Sequence, residues 1–140
     1  MIFDDDLVLC ECDLEPLKSF VEDLEKQHSV EVIQEPGICL TMIKAEDSLE
    51  HQQFFLGEAL TTECEVSVDG TAGVGLCLGE EPVRGYCIAV IDGVNRLRGE
   101  TPENVSEFIQ SQRVVLEECE AKEQALVKKT RVDFKLMEQD

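Results

Sequence analysis

A strict alternation of apolar or small residues with polar ones over residues 60–68 constrains the fold more than any other feature of this sequence. One face carries Leu60, Thr62, Cys64, Val66 and Val68, and the other carries Thr61, Glu63, Glu65 and Ser67. This pattern is typical of a β-strand with one buried and one solvated face. Asp69-Gly70 then predicts a tight turn, and residues 74–78 continue the apolar face on a return strand. The chain is therefore expected to contain an antiparallel hairpin.

Helical spacing appears on both sides of this hairpin. Apolar residues recur every three or four positions over residues 13–27, which predicts an N-terminal helix. Pro82 begins and Gly99 ends a second predicted helix. Thr101-Pro102-Glu103, a capping hydroxyl followed by proline and an acid, begins a third helix that runs to about Thr130.

Two shorter β-forming runs precede the hairpin. Residues 30–33 and 38–44 predict two strands joined by a Pro36-Gly37 turn, and residues 45–51 are expected to form a polar loop. Three glycines, Gly73, Gly75 and Gly79, punctuate the return strand and permit a bulge or a close approach by another backbone.

We predict an α+β fold in a single domain spanning residues 1–140, with residues 1–6 frayed. The expected architecture is an antiparallel sheet of four to five strands with an N-terminal helix and two C-terminal helices. A domain of this length buries a hydrophobic core without needing disulfides or metals.

The formal net charge of −19 argues against nucleic acid and against anionic membranes as main partners, because phosphates would be repelled. The charge is uneven: residues 1–80 contain 19 acidic and three basic residues. This half of the chain suits either a basic partner surface or simple solubility. The cysteine count, seven, is odd, and no secretory signal or membrane span is recognisable, so we expect reduced thiols and a cytoplasmic protein.

No catalytic or metal-ligating constellation is recognisable in the sequence. Cys10-Glu11-Cys12 has no second cysteine pair at the sequence spacing of a zinc site. Neither His28 nor His51 has a second metal-ligating residue at a useful spacing along the sequence. Glu63 and Glu65 share a strand face, where paired carboxylates divide acid and base roles in some hydrolases. A solvated strand face explains the same pair, so we expect no catalytic residue and no metal in this chain.

Two segments are candidates for a partner interface, because each places aromatic residues beside polar sequence. The candidate residues are Phe54, Phe55, Gly57 and Glu58 in the first segment, and Arg131, Asp133 and Phe134 in the second. Aromatic side chains are common interface anchors, and arginine and aspartate make charge-assisted hydrogen bonds across contacts. The alternative is that both segments pack into the core of this chain.

Four segments, in this order, resemble one protein family. They are Val32-Ile33 leading into Pro36-Gly37; the run F-F-L-G-E-A-L-T-T-E-C-E-V from Phe54 to Val66, similar to the family's F-N-L-G-E-x-L-V-T-E-A-E-V; Asp69-Gly70 with Gly73-Val74-Gly75, Leu78-Gly79 and the helix through Ala89 and Asp92; and Thr130-Arg131-Val132-Asp133-Phe134, similar to a terminal T-R-V-x-F. The family is PhnG, whose members are subunits of the bacterial carbon–phosphorus lyase system. The resemblance covers about residues 7–137.

The resemblance implies a subunit of a core complex with PhnH, PhnI and PhnJ, and it leaves open a homodimer of this chain within that complex. With PhnI, and aided by PhnH and PhnL, family members support attack of a phosphonate on ribose C1 of MgATP. Adenine leaves and ribose 1-phosphonate 5-triphosphate forms, after which PhnJ cleaves the carbon–phosphorus bond with an iron–sulfur cluster and S-adenosylmethionine. The nucleosidase chemistry is that of PhnI. No cofactor is therefore expected in this chain, and MgATP is a substrate of the complex.

The chain departs from the family pattern at two positions. Val74 stands where the family often has Tyr, and Gly93 stands where Ala is usual. A glycine inside a helix costs about 1 kcal/mol relative to alanine. Two other functions stay open from sequence: an adaptor unrelated to phosphonates, and an independent hydrolase that uses Glu63 and Glu65.

Overall fold

The computed structural model describes residues 3–132 and has the predicted α+β class, with four helices and a three-stranded antiparallel sheet in that range. The elements in chain order are α1 (Asp5–Glu11), α2 (Leu14–Gln27), β1 (Val30–Glu46), β2 (Gln53–Val68), β3 (Thr71–Leu78), α3 (Pro82–Arg98) and α4 (Glu103–Lys129). The strand order is β1-β2-β3. The core lies on the face of β2 that carries Cys64, Val66 and Val68, and all four helices contribute buried residues to it.

The predicted hairpin at Pro36-Gly37 is wrong, and this removes one strand from the expected four to five. β1 runs through both residues and pairs with β2 from Val30 to Glu46, with register shifts between Val32 and Gln34 and between Gln34 and Gly37. An edge strand accommodates a proline at such bulges, because the missing N–H faces away from the ladder. The turn comes later, where the Asp47 N–H donates to the Gln52 carbonyl at 2.9 Å.

Residues 4–6, within the segment expected to be frayed, form the N-cap and the start of α1. Asp4 caps α1, since its Oδ1 accepts a hydrogen bond from the Leu7 N–H at 2.9 Å. Val8 and Leu9 are buried beneath the other helices. The acidic residues that favour fraying in isolation instead stabilise the positive end of a short helix.

The three predicted helices are confirmed, with small differences at their ends. α3 ends at Gly99, whose φ of 74° is left-handed, as expected of a glycine after a helix. α4 begins after Pro102, which occupies the N-cap position without a side-chain hydrogen bond. The predicted capping role of Thr101 is therefore wrong. Phe20 of α2 stacks on Phe108 of α4 with ring centroids 4.3 Å apart, which joins the two helices.

Helix α3 lies directly on the backbone of β3, and glycines make this possible. A Cβ atom on Gly73 would lie 2.3 Å from the Ala89 carbonyl oxygen, and one on Gly75 would lie 2.1 Å from the Gly85 carbonyl oxygen. Real Cβ atoms do not approach backbone this closely. Gly73 and Gly75 therefore serve a close backbone contact and not a bulge, whereas a Cβ atom on Gly79 would meet no atom within 4 Å.

Gly93 belongs to the same contact. A Cβ at this position would lie 2.6 Å from Val68 Cγ2. Its departure from the family pattern is therefore explained by packing: the helix cost of glycine is offset by the space it leaves for Val68. Next to it, Asp92 Oδ2 accepts a hydrogen bond from the Val74 N–H at 2.9 Å and pairs with Arg96 Nε at 2.9 Å.

The β2–β3 turn is tied to the end of α2 by one aspartate. Asp69 has a positive φ of 48° and is followed by Gly70 at 88°. Its Oδ1 accepts from the Ser29 N–H at 2.8 Å, and its Oδ2 lies 2.7 Å from His28 Nδ1. The hydrogen bond from His28, followed by that from Ser29, lowers the pKa of the Asp69 carboxyl group.

We expect Gly75→Ala to lower the free energy of unfolding by about 2 kcal/mol or more, because the new methyl group must separate α3 from β3. Gly57→Ala is the matched control, since a Cβ there meets no atom within 4 Å, and it should change stability by less than about 0.5 kcal/mol. Urea denaturation of the three proteins measures the difference. Equal stabilities of the two variants would contradict the glycine contact.

The Asp69 hydrogen bonds predict a specific acid response. A carboxyl group whose pKa is lower in the folded state contributes stability above its unfolded pKa and loses it as the pH falls through the folded value. The stability difference between the wild type and Asp69→Asn should therefore be largest near neutral pH and shrink below about pH 4. Urea midpoints at a series of pH values from 7 to about 3 test this, and a gap that is constant with pH would refute it.

Candidate functional site

The outer half of the β1–β2 hairpin projects beyond the rest of the sheet. β3 pairs with β2 only over residues 61–68, and the register places Leu78 opposite Thr61. Residues 53–59 of β2 therefore pair with β1 alone, and the Leu60 carbonyl accepts one hydrogen bond from the Gly79 N–H just after β3. We call residues 38–60 the arm. An isolated two-stranded hairpin is only marginally stable in water, so such an extension is expected to have a use.

The arm exposes large apolar side chains on both of its faces. They include Leu40, Met42, Phe54, Phe55, Leu56 and Leu60, with exposed fractions of 64%, 52%, 47%, 57%, 67% and 46%. Neighbouring residues of a strand point to opposite faces, so Phe54 and Phe55 lie on different sides of the arm. The Lys44 ammonium lies 5.7 Å from the centroid of the Phe55 ring. Large exposed apolar surfaces are often interaction sites in soluble proteins.

All four candidate residues of the first segment lie on β2 within the arm. Glu58 is opposite Met42, and Gly57 is opposite Ile43. The exposure of Phe54 and Phe55 speaks against the alternative that this segment packs into the core. Its use as an interface stays a prediction.

The second segment is only partly described. Arg131 is exposed just after α4, and its N–H donates to the Lys128 carbonyl at 3.4 Å. Asp133 and Phe134 lie outside the described residues. Between residues 3 and 132, no hydrogen bond, ion pair or ring contact joins Arg131 to the arm.

Sequence reasoning missed Leu40 and Met42 of β1, and Leu56 and Leu60 of β2, as site residues. Leu40 and Leu60 are cross-strand neighbours, and Leu60 was expected on the buried face of its strand. One sequence signal could have revealed their exposure: the segments that form β1 and β2 are too long for the predicted helices to cover completely.

The pair Glu63 and Glu65 lies on the sheet face opposite the helices. Glu63 Oε2 accepts a weak hydrogen bond from Cys39 Sγ at 3.6 Å, and the cross-strand neighbours of the pair on β3 are Leu76 and Val74. The two histidines are elsewhere: His28 contacts Asp69, and His51 Nδ1 lies 3.2 Å from Glu46 Oε1 in the arm turn. Within the described part of the chain, no three His, Cys, Asp or Glu side chains are grouped to hold a metal ion.

Two cavities lie beside α1. The larger, about 370 Å³, is lined by Phe3, Leu7, Glu11, Leu116, Cys119, Glu120 and Glu123. The second, about 330 Å³, is bordered by Arg84, a buried residue whose Nη1 donates to the Leu9 carbonyl at 2.9 Å. Arg84 Nε also lies 3.2 Å from Glu81 Oε2. The first contact joins α1 to α3 and the second holds Arg84 to the N-cap residue of its own helix, so Arg84 has a structural role.

All seven cysteines are free thiols, and their surroundings differ. Burial raises the pKa of Cys10, Cys12, Cys64, Cys77 and Cys87. The value for Cys87 is about 11. At Cys39, desolvation and then the Glu63 carboxylate raise the thiol pKa. Cys119 is exposed on α4.

We expect Cys119 to be alkylated first in the native protein, because the attacking species is an accessible thiolate. Raising the pH from 7 to about 9 should leave Cys87 unlabelled, since its pKa of about 11 keeps it protonated and it is buried. Mass spectrometry of iodoacetamide-labelled protein identifies the sites, and unfolding in non-reducing denaturant should make all seven thiols reactive. Native labelling of Cys87 before Cys119 would contradict this assignment.

Comparison with known protein families identifies the family of this chain. The sequence model of the family described as phosphonate metabolism protein PhnG matches residues 7–139, nearly the whole chain. No curated protein matched the chain. No helix among residues 3–132 is long and apolar enough to cross a membrane. The extent of the family match confirms the resemblance of the strand and turn motifs, and the chain belongs to the PhnG family of phosphonate metabolism proteins.

Proposed function

We propose that this chain is a supporting subunit of the carbon–phosphorus lyase system, and that its arm holds it in the assembly. In this role it acts with PhnI, PhnH and PhnL when a phosphonate is transferred to ribose C1 of MgATP. Adenine leaves and ribose 1-phosphonate 5-triphosphate forms. The assembly, which also contains PhnJ, works in the cytoplasm and binds MgATP as substrate.

The observation that carries the proposal is the exposed apolar arm. Phe55 and Leu56 are 57% and 67% exposed at the end of a hairpin that no helix or third strand covers in the described structure. Aromatic residues are enriched among the side chains that dominate binding energy at interfaces. Burying them on another subunit would stabilise both the contact and the arm itself.

The supporting role fits the side chains available for chemistry. Displacement of adenine needs a group that assists the leaving base and a site for the magnesium triphosphate. Glu63 and Glu65 lie beside exposed apolar residues of β3 and make no ion pair with a cation among residues 3–132. Membership of the PhnG family disfavours an adaptor unrelated to phosphonates. An independent hydrolase is tested by assaying the chain alone.

A double variant tests the role of the arm. Phe54→Ser/Phe55→Ser should leave the melting temperature nearly unchanged, because exposed side chains contribute within about 0.5 kcal/mol to stability. The same variant should lose co-purification with PhnI, PhnH and PhnJ and should release no adenine from MgATP and phosphonate when mixed with them. The wild-type chain alone should also release none.

Leu126→Ser on α4 is the matched control, since Leu126 is 62% exposed outside the arm. It should retain the partner subunits and the activity of the mixture. Full co-purification of the double variant would show that the arm is not the assembly surface. Failure of the wild-type chain to bind any of these subunits, or release of adenine by the chain alone, would refute the supporting role.

A further inference from the structure

The two edges of the sheet are treated differently by the fold. At the β3 edge, the Val74 N–H donates to Asp92 Oδ2 at 2.9 Å and the Leu76 carbonyl lies 3.9 Å from Cys10 Sγ. α3 and α1 therefore cover that edge. The other edge is β1, a strand of 17 residues, Val30–Glu46. An uncovered edge strand is a template for pairing with another chain.

The direction of the β1 backbone follows from a hydrogen bond on the far side of β2. The Leu60 carbonyl accepts from the Gly79 N–H at 2.8 Å, so the backbone polar groups of Leu60 point toward β3. Leu40 is directly opposite Leu60. In an antiparallel ladder such a pair is not hydrogen-bonded, and the N–H and C=O of Leu40 point to the open edge. By alternation, Ile38 and Met42 do the same.

The first half of β1 is protected against pairing, and residues 38–43 are not. Pro36 lacks an N–H, and two register shifts between Val32 and Gly37 disturb the strand there. Bulges and prolines are the devices that prevent edge pairing in natural sheets. From Ile38 to Ile43 the register is regular. No hydrogen bond from another residue of the described range reaches the outward groups of Ile38, Leu40 or Met42.

The charge around this edge selects among occupants. Residues 30–78 contain nine acidic residues against a single lysine, Lys44, and no arginine. A second copy of this chain would bring equal negative charge to the contact, which like-charge repulsion disfavours. A segment carrying lysine or arginine would be attracted to it.

Resting on the proposed function, we infer that residues 38–43 of β1 bind an extended, basic segment of a partner subunit, which adds to the sheet as a fourth strand. Main-chain hydrogen bonds to Ile38, Leu40 and Met42 supply affinity, and their exposed side chains supply the apolar contact. The acidic surroundings favour encounter with that segment and exclude a second copy.

Amide hydrogen exchange at single-residue resolution is the direct test, with the complete chain alone and in complex with the co-expressed PhnI, PhnH and PhnJ subunits. Strand addition should slow exchange at Ile38, Leu40 and Met42 at least roughly tenfold on binding. Thr41, whose N–H faces β2, should change less. Docking through side chains alone would not produce this alternation, and its absence in the intact complex would overturn the inference. Slow exchange at Leu40 already in the isolated chain would mean that the chain covers its own edge, which also overturns it.

Two variants at one position separate the backbone from the side chain. Leu40→Ala and Leu40→Pro both shorten the side chain, but only proline removes the outward N–H, and it leaves the ladder to β2 intact. The dissociation constant of the complex with the partner subunits should rise at least roughly tenfold more for Leu40→Pro than for Leu40→Ala. For the wild-type chain, the same constant should rise with salt concentration, because salt screens exposed charges. Equal dissociation constants for the two folded variants would count against strand addition. A dissociation constant that does not change with salt concentration would count against a basic segment.

The occupant is tested by sedimentation of the isolated chain. If the wild-type chain is a dimer and Leu40→Pro is a monomer, the occupant of the β1 edge is a second copy of this chain, which would overturn the inference. A complex that loses PhnI in the Phe54→Ser/Phe55→Ser variant but keeps it in Leu40→Pro would refute strand addition and leave the proposed function intact. Absence of any complex with the wild-type chain would refute the proposed function itself.

Discussion

The close contact between α3 and β3 is the constraint on which the rest of the structure depends. Because Gly73 and Gly75 present no side chains to the helix, its backbone rests directly on the strand. This position aligns Asp92 with the Val74 N–H and so covers one edge of the sheet. It also gathers all the helices on one face. Within residues 3–132, the opposite face and the arm are left without cover, and these are the surfaces that the described structure leaves available to partners.

The arm and the body differ in what stabilises them. The body buries apolar residues from four helices and the inner face of β2, including Leu17, Ile91 and Val105, each at most 1% exposed. The arm has two strands and no core of its own. Its apolar residues are therefore better placed to contribute to the free energy of binding a partner than to the stability of the isolated chain. High acidic charge opposes self-association through the same surface. This combination suits the proposed role of a supporting subunit in an assembly for phosphonate metabolism.

Periodicity predicted the elements whose faces differ sharply in polarity. One side of each of these elements meets the core, so the sequence pattern predicted them: the helices over residues 14–27 and 82–98 and the strand from Leu60 to Val68. The segment around Pro36-Gly37 was misread, because a turn and a bulged edge strand use the same residues. α1 was missed because its seven residues, Asp5–Glu11, form a helix only when Val8 and Leu9 pack on the other helices.

The sequence by itself determined the fold class, the absence of a recognisable catalytic motif, the acidic half and the aromatic pair Phe54-Phe55 as a candidate contact. These properties are local, since they follow from residue type and spacing. Only the tertiary structure decided that β1 and β2 extend beyond β3 and that Leu40 and Leu60 are exposed with them. It also decided that, in the part of the chain that is described, one sheet edge is covered while the other is open. Exposure and edge position depend on which distant segments pack together, and the register of β3 against β2 is what leaves the arm uncovered.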